Sequence, residues 1–227
     1  MRLNEMFLSI QGEGLDAGRL CTFVRFTACN LRCTYCDTEY AFYEGRKRSQ
    51  DDLLAAVAEL GAPLVCLTGG EPMLQKDIHE FAQRLLDEGY EVSIETSGSL
   101  PLDRLPGAVV KIMDIKTPGA LRKEGSPEDF ANSEAFISEH LNYDNLALLG
   151  PTDQVKFVLC DRADYEWALD FVSEHSLPER VGAILFSPID PGLPPADLAS
   201  WLTEDKPPVR LNLQIHKVIW GHEVRGV

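Results

Sequence analysis

Three cysteines stand close enough in the chain to share one metal centre: Cys29, Cys33 and Cys36, in a C-x3-C-x2-C spacing. Thiolates suit zinc or an iron–sulfur cluster. A closed structural zinc site wants four ligands, and no further Cys or His lies nearby. A cubane held by three cysteines keeps one iron open, and an open position on a metal invites a ligand or a reaction. Cys21, Cys66 and Cys160 sit singly in apolar runs and read as small buried hydrophobes. A second motif, Gly69-Gly70-Glu71-Pro72, joins backbone that can approach a ligand closely to a carboxylate offering local negative charge. Taken alone it is equally a strand-to-helix turn.

The elements that must position these residues are legible as alternating β-rich runs and helical patterns. The runs are Leu20–Phe26, Leu64–Leu67, Val92–Glu95, Val109–Ile115, Val155–Leu159, Ala183–Phe186 and Leu211–Ile215. Helices are predicted from the cap Ser49, with Asp52 three residues on, to Gly61, and over Lys76–Glu88, Arg162–His175 and Pro195–Leu202. Such alternation implies βα units around a mostly parallel sheet. About six or seven units fall short of an eight-fold barrel, which leaves a partial, open (β/α)6-type barrel or an open doubly wound sheet. The polar motifs fall after the second, third, fourth and sixth runs, at Thr68–Pro72, Glu95–Gly98, Asp114–Lys116 and Ser187-Pro188. Carboxyl ends of parallel strands form the ligand rim in such folds, so four motifs there predict a lined bowl.

Length and composition bound the partners. The chain has 227 residues, read as one domain over 1–227, with 44% apolar and 25% charged side chains, enough for a full core. No stretch approaches the roughly 20 apolar residues of a membrane-crossing helix, and Met1–Glu5 shows no signal-peptide character. A cytoplasmic location with reduced thiols is therefore expected. With 21 Lys+Arg against 36 Asp+Glu, the net charge is −15, which argues against nucleic-acid binding. Any anionic substrate needs a local cationic pocket.

The C-x3-C-x-aromatic-C pattern, with Tyr35 before Cys36, resembles the signature of the radical S-adenosylmethionine superfamily. The resemblance implies a [4Fe–4S] cluster on Cys29, Cys33 and Cys36. Its open iron would be chelated by S-adenosylmethionine, whose one-electron cleavage gives a 5′-deoxyadenosyl radical. Gly69-Gly70-Glu71-Pro72 is similar to the superfamily's element for the methionine amino group. Ser9-Ile10-Gln11-Gly12-Glu13-Gly14, Cys36-Asp37-Thr38, Arg25 and the tail, Gln214 to Lys217 with the terminal Arg225-Gly226-Val227, further resemble the 7-carboxy-7-deazaguanine synthase family over nearly the whole chain. That family contracts the ring of 6-carboxy-5,6,7,8-tetrahydropterin, a carbon–nitrogen lyase reaction in queuosine and deazapurine biosynthesis.

The resemblance assigns roles to particular residues. Ile10, Gln11 and Gly12 would bind the pterin, Arg25 its carboxylate, and Thr68 and His216 would complete the pocket. Tyr35, Cys36, Asp37, Gly70, Asp114, Ile115 and Lys116 would contact S-adenosylmethionine, although the family often shows Ser-Pro-Lys where this chain has Asp114-Ile115-Lys116. Thr38 would bind Mg²⁺, with substrate oxygens and waters completing its octahedron. Thr96, Ser97 and Ser187 are rim candidates. The resemblance also implies a homodimer and a flavodoxin or ferredoxin as electron donor. Bland alternatives are a strand-end salt bridge for Arg25 and a structural role for His216. Ten residues follow Lys217, more than in relatives whose terminal carboxylate reaches the substrate, and the polar 119–150 region reads as a lid, a dimer contact or an idle insertion. Rival functions are a glycyl-radical activase with a protein substrate and a non-enzymatic iron–sulfur protein. Neither accounts for Ser9–Gly14 together with Cys36-Asp37-Thr38.

Overall fold

The computed structural model describes residues 1–121, 141–221 and 224–226. Most of the 119–150 region, and His222 and Val227 of the tail, lie outside the described residues. The sheet holds nine strands: β1 (Arg2–Ile10), β2 (Leu20–Phe26), β3 (Arg46–Lys47), β4 (Leu64–Gly69), β5 (Glu91–Thr96), β6 (Val110–Ile115), β7 (Gln154–Leu159), β8 (Ala183–Pro188) and β9 (Arg210–Leu211). Their spatial order is β3-β1-β2-β4-β5-β6-β7-β8-β9. From β2 onward every pairing is parallel, while β1 runs antiparallel to both β2 and β3. The α-helices are α1 (Gln50–Leu60), α2 (Ile78–Asp87), α3 (Arg162–Glu174), α4 (Pro195–Asp205) and α5 (Ile215–Trp220). This is a partial, open barrel.

Local sequence explains the helix ends. The Ser49 side chain accepts from Asp52 N while Asp52 accepts from Ser49 N, and Gly61 closes α1 in the left-handed conformation at φ 73°. Asp161 caps α3 by accepting from Asp164 N. Ile78, Phe81, Ala82 and Leu85 form the buried stripe of α2.

Period-two alternation gives the sheet two different faces. One row, including Val24, Leu67, Ile94, Met113, Val155 and Phe157, joins the main core with Phe81 of α2 and Phe171 of α3. Burying each such side chain stabilises the fold by roughly 1.5–3 kcal/mol. The alternate row carries Arg25, Thr68, Glu95, Asp114 and Lys156, one polar residue from each of five neighbouring strands, and these line a cavity. The register places Arg25 beside Thr68 and Asp114 beside Lys156. Below them Cys21, Phe23, Leu64 and Cys66 form an apolar floor with Phe7.

Three features depart from the sequence reading. β1 is absent from the apolar runs because a bulge between Leu3 and Glu5 breaks its alternation and most of it is only half-buried. β3 is two exposed basic residues, too short to leave a pattern. The run Leu211–Ile215 divides: only Leu211 belongs to a strand, and Ile215 opens α5. Between them the Asn212 side chain bonds to Ser187 Oγ at 2.8 Å and to Glu13 at 3.2 Å, drawing the chain off the sheet and over its rim.

Candidate active site

The loop between β2 and the turn at Glu39–Phe42 carries the three cysteines and is tied on every side by backbone bonds. Ala28 N donates to Ala41 O, Glu71 N to Ala28 O, and Thr34 N to Ala120 O. Arg32 donates to Cys29 O and Leu31 O and lies 4.2 Å over the Phe42 ring. Cys29, Cys33 and Cys36 all line the cavity and are half-buried. Burial pushes all three thiols up, Cys36 to about 11, so each holds its proton until a bound cation compensates the charge. A single ion draws its donors to within about 2.3 Å of one point, and among the described residues no trio of Cys, His, Asp or Glu does so. A cubane asks for something wider, one thiolate on each of three separate irons. The donor chemistry, three free half-buried thiols lining one cavity, fits that group.

Gly70 is where the second motif meets this loop. A Cβ there would stand 2.3 Å from Ala28 O and 2.8 Å from Cys29 Cβ, so no other residue fits without moving the cysteines. Glu71 turns away from the cavity and is fully buried. Its Oε1 accepts from Met73 N and Thr96 Oγ1, and its Oε2 from Ser97 N and Ser97 Oγ, at 2.6–3.0 Å. The carboxylate thus holds the turn after β4 against the end of β5, and the backbone of Gly69-Gly70, not the Glu71 side chain, reaches the ligand space.

The other end of the cavity, about 530 Å³ in volume, is built from chain segments far apart in sequence. Glu95 accepts from Gln11 Nε2 at 3.4 Å and from Thr68 Oγ1 at 2.9 Å, joining two residues expected to touch substrate. Ile215 N donates to Gly12 O, and a Cβ on Gly12 would lie 2.0 Å from His216 Nδ1. His216 therefore packs directly on the Gly12 backbone. Burial holds its pKa below the ordinary 6.5 despite Glu13. Arg25 donates through Nε to Glu5 Oε1 at 2.8 Å, so the strand-end salt bridge is present. Its two terminal nitrogens, the pair matched to a carboxylate, make no further hydrogen bond among the described residues.

Between the two ends lies a chain of alternating charges. Lys156 Nζ is 2.9 Å from Glu13 and 3.3 Å from Asp114, and Lys116 Nζ is 3.0 Å from the same Asp114 oxygen. Burial opposes charge on both lysines, but the carboxylates win and their pKa values rise. Burial would likewise raise Glu13, yet Lys156 and Gln214 hold it below 4.5. Asp114 Oδ1 and Tyr35 Oη are buried without a partner among the described residues, an acceptor and a donor left for a ligand. Near the mouth Thr38 donates to Asp37 at 2.7 Å, and Lys217 pairs with Asp37 at 3.0 Å. Burial opposes the Asp37 charge, but Lys217 outweighs it and holds the carboxyl down at about 2. Five cationic and five anionic side chains among the described residues line the cavity. The site is locally balanced inside a chain of charge −15.

Of the residues picked from sequence, Ile10, Gln11, Arg25, Thr68, His216, Tyr35, Asp37, Gly70, Asp114, Lys116, Thr38 and the three cysteines all line this one cavity, as do Thr96 and Ser97. Gly12 lies beneath His216. Ile115 points into the main core, and Ser187 is buried against Asn212. Tyr40 and Lys156 also line the cavity and were not singled out, while Glu13, Glu95, Gln214 and Arg225, which line it too, stood inside sequence motifs without an individual role. Lys156 had a readable signal, a lysine alone in the apolar run Val155–Leu159, facing opposite to Phe157.

An open parallel barrel with three thiols and a Gly-Gly turn on its carboxyl rim is the architecture of radical S-adenosylmethionine enzymes, and residues 23–116 match the Radical SAM superfamily. The fold is shared with QueE from Escherichia coli (TM-score 0.68, 24% identity, 94% of this chain and 93% of that one). It is also shared with peptide-bound SuiB of Streptococcus suis (TM-score 0.57, 15% identity, 83% of this chain and 47% of that one). The 7-carboxy-7-deazaguanine synthase of Koribacter versatilis is 44% identical over the full length of both chains. That of Chlorobaculum tepidum is 37% identical, covering 100% of this chain and 97% of its own. The chain belongs to the 7-carboxy-7-deazaguanine synthase family.

Proposed function

We propose that this chain, acting as a single unit over 1–227, converts 6-carboxy-5,6,7,8-tetrahydropterin into 7-carboxy-7-deazaguanine and ammonia, a carbon–nitrogen lyase step of queuosine and deazapurine biosynthesis. The observation that carries the reading is the Arg25 fork. Its terminal nitrogens have no hydrogen-bond partner among the described residues, and it lines the same cavity as Cys29, Cys33 and Cys36. A guanidinium fork is the group best matched to a carboxylate.

When bound, a [4Fe–4S] cluster and S-adenosylmethionine supply the radical that begins the rearrangement. Cys29, Cys33 and Cys36 hold the cluster, and the Gly69-Gly70 backbone admits the methionyl end of the cofactor. Asp114, Lys116 and Tyr35 line the cofactor's side, Asp114 Oδ1 and Tyr35 Oη meeting its polar groups. Gln11, Thr68 and Glu95 form a linked acceptor–donor set able to read the amide and amine edge of a pterin. His216, kept neutral, offers one donor and one acceptor beside them. Ammonia is the whole difference between substrate and product, so no net oxidant is consumed. Thr38 is one neutral ligand for Mg²⁺, so the metal binds weakly until substrate oxygens join it. A flavodoxin or ferredoxin as donor, a homodimer and a cytoplasmic location complete the reading, in keeping with the lack of any helix among the described residues long and apolar enough to cross a membrane.

The test is an anaerobic assay on cluster-loaded protein with dithionite, S-adenosylmethionine, Mg²⁺ and the carboxylated pterin. Product in excess over S-adenosylmethionine consumed supports the reading. Accumulation of 5′-deoxyadenosine without product rejects the substrate while keeping the cofactor chemistry.

A further inference from the structure

The Glu5 oxygen that receives Arg25 Nε also accepts a hydrogen bond from Tyr40 Oη, again at 2.8 Å. The Tyr40 hydroxyl is the donor in that bond and the Glu5 carboxylate the acceptor. On the face of the Tyr40 ring lies the Arg225 guanidinium, 3.7 Å from the centroid, with Glu44 3.6 Å away. Tyr40, Arg25 and Arg225 all line the cavity. Two side chains thus meet on the Glu5 carboxylate of β1, Arg25 from β2 and Tyr40 from the turn after the cysteines, and the C-terminal segment joins them through Arg225 on the Tyr40 ring.

We infer that Arg225 and Tyr40 are positioning residues for substrate: Arg225 seats the Tyr40 ring, Tyr40 fixes Glu5, Glu5 fixes Arg25, and the C-terminal segment thereby sets how the substrate carboxylate is received. The inference rests on the proposed carboxylated substrate. Tyr40 draws charge from Glu5 that would otherwise compete with substrate for the guanidinium. Glu5 then holds one edge of Arg25 without consuming its fork. Docked Arg225 caps the ring from the solvent side and carries Val224 and Gly226 to the cavity mouth. The exposed Arg225–Glu44 pair adds little by itself, so the contact with the ring is the element that counts.

The experiment measures the dissociation constants of 6-carboxytetrahydropterin and of tetrahydropterin, which lacks the carboxylate, by calorimetry on anaerobic, cluster-loaded protein with S-adenosylmethionine. Wild type, R25A, R225A, R225K, Y40F and R25A/R225A are compared, each checked by thermal melting. A cation–π contact at an exposed site is worth about two- to fivefold in an equilibrium, so R225A is expected to weaken the carboxylated ligand by about that factor, with R225K partly restored. Y40F keeps the ring but loses the bond to a charged acceptor, and is expected to cost about tenfold. Neither changes affinity for tetrahydropterin, and R25A/R225A binds no worse than R25A. Additive losses in the double variant, or equal losses for both ligands, overturn the positioning role. If R25A itself leaves the carboxylated ligand unaffected, the substrate reading fails instead. R225K and Y40F, both conservative, decide the matter if R225A melts early.

Discussion

Replacing Glu71 by Gln separates two roles for the Gly-Gly-Glu-Pro motif. The carboxylate is fully buried and accepts four hydrogen bonds from Met73 N, Thr96 Oγ1, Ser97 N and Ser97 Oγ. Glutamine keeps one acceptor oxygen and turns the other into a donor. The Ser97 hydroxyl can rotate to meet it, but a backbone N–H at Ser97 or Met73 cannot. At least one buried amide is then stranded, and the bonds that remain lose their charge. Hydrogen bonds to charged groups are worth about 1.5–3 kcal/mol each, so E71Q should destabilise the cluster-free, reduced protein by about 2–4 kcal/mol. For a chain of this size that lowers the melting temperature by roughly 5–15 °C. Urea unfolding under anaerobic, reducing conditions measures the first quantity, and S-adenosylmethionine affinity of the reconstituted protein measures the second role. Stability within about 0.5 kcal/mol of wild type, with a large loss of cofactor affinity, would refute the reasoning and return Glu71 to the ligand.

Three further outcomes follow from the same geometry. G12A should abolish detectable pterin binding and cost about 1–3 kcal/mol by overpacking, since its methyl would occupy the place of His216 Nδ1; calorimetry and urea unfolding check both. K156M should destabilise the fold by about 3–5 kcal/mol, the cost of stranding a buried charge. K116M should cost less, because Lys156 serves Glu13 and Asp114 whereas Lys116 serves Asp114 alone; equal losses in parallel denaturation curves would contradict this. Glu13 has a folded pKa below 4.5, so the stability it contributes is present above that pH and is lost as the pH falls below it. E13Q should therefore be less stable than wild type at pH 7 and should lose less than wild type on acidification below about pH 4.5, followed by melting temperature against pH.

The parts of the site legible in sequence were those written in consecutive residues. Cys29, Cys33 and Cys36 identify themselves by spacing, and Ser49 with Asp52 and Gly61 bounds α1 to within a residue. The apolar runs of the parallel strands were clear because one full row of each is buried under helices. What escaped was whatever depends on strand pairing. The rim position of Glu95 and the lone lysine at 156 were visible, but their partners were not until the register set them beside Thr68 and Asp114. β1 escaped because antiparallel pairing at a bulge needs no apolar run. Glu71 stood in a ligand motif, and only the position of β5 shows that its four partners are internal. Arg225 and Tyr40 are separated by most of the chain, and no local pattern joins them.

The stitching of Gly14 to Asn212 and of Glu13 to Gln214, bonds that span 198 and 201 residues, has a consequence for the order in which the protein is made. The cysteine loop and the first strands leave the ribosome early and can pack through near-neighbour pairings. The pterin end must wait for the last elements to emerge, and it bears the entropy of closing a very long loop. Until those elements arrive, the substrate pocket is open on one side. A product stopped short of Asn212 would keep most of its strands and its three thiols yet have no place to hold a pterin. Such a fragment would keep the thiol end of the cavity while lacking the wall that Gln214 and His216 supply.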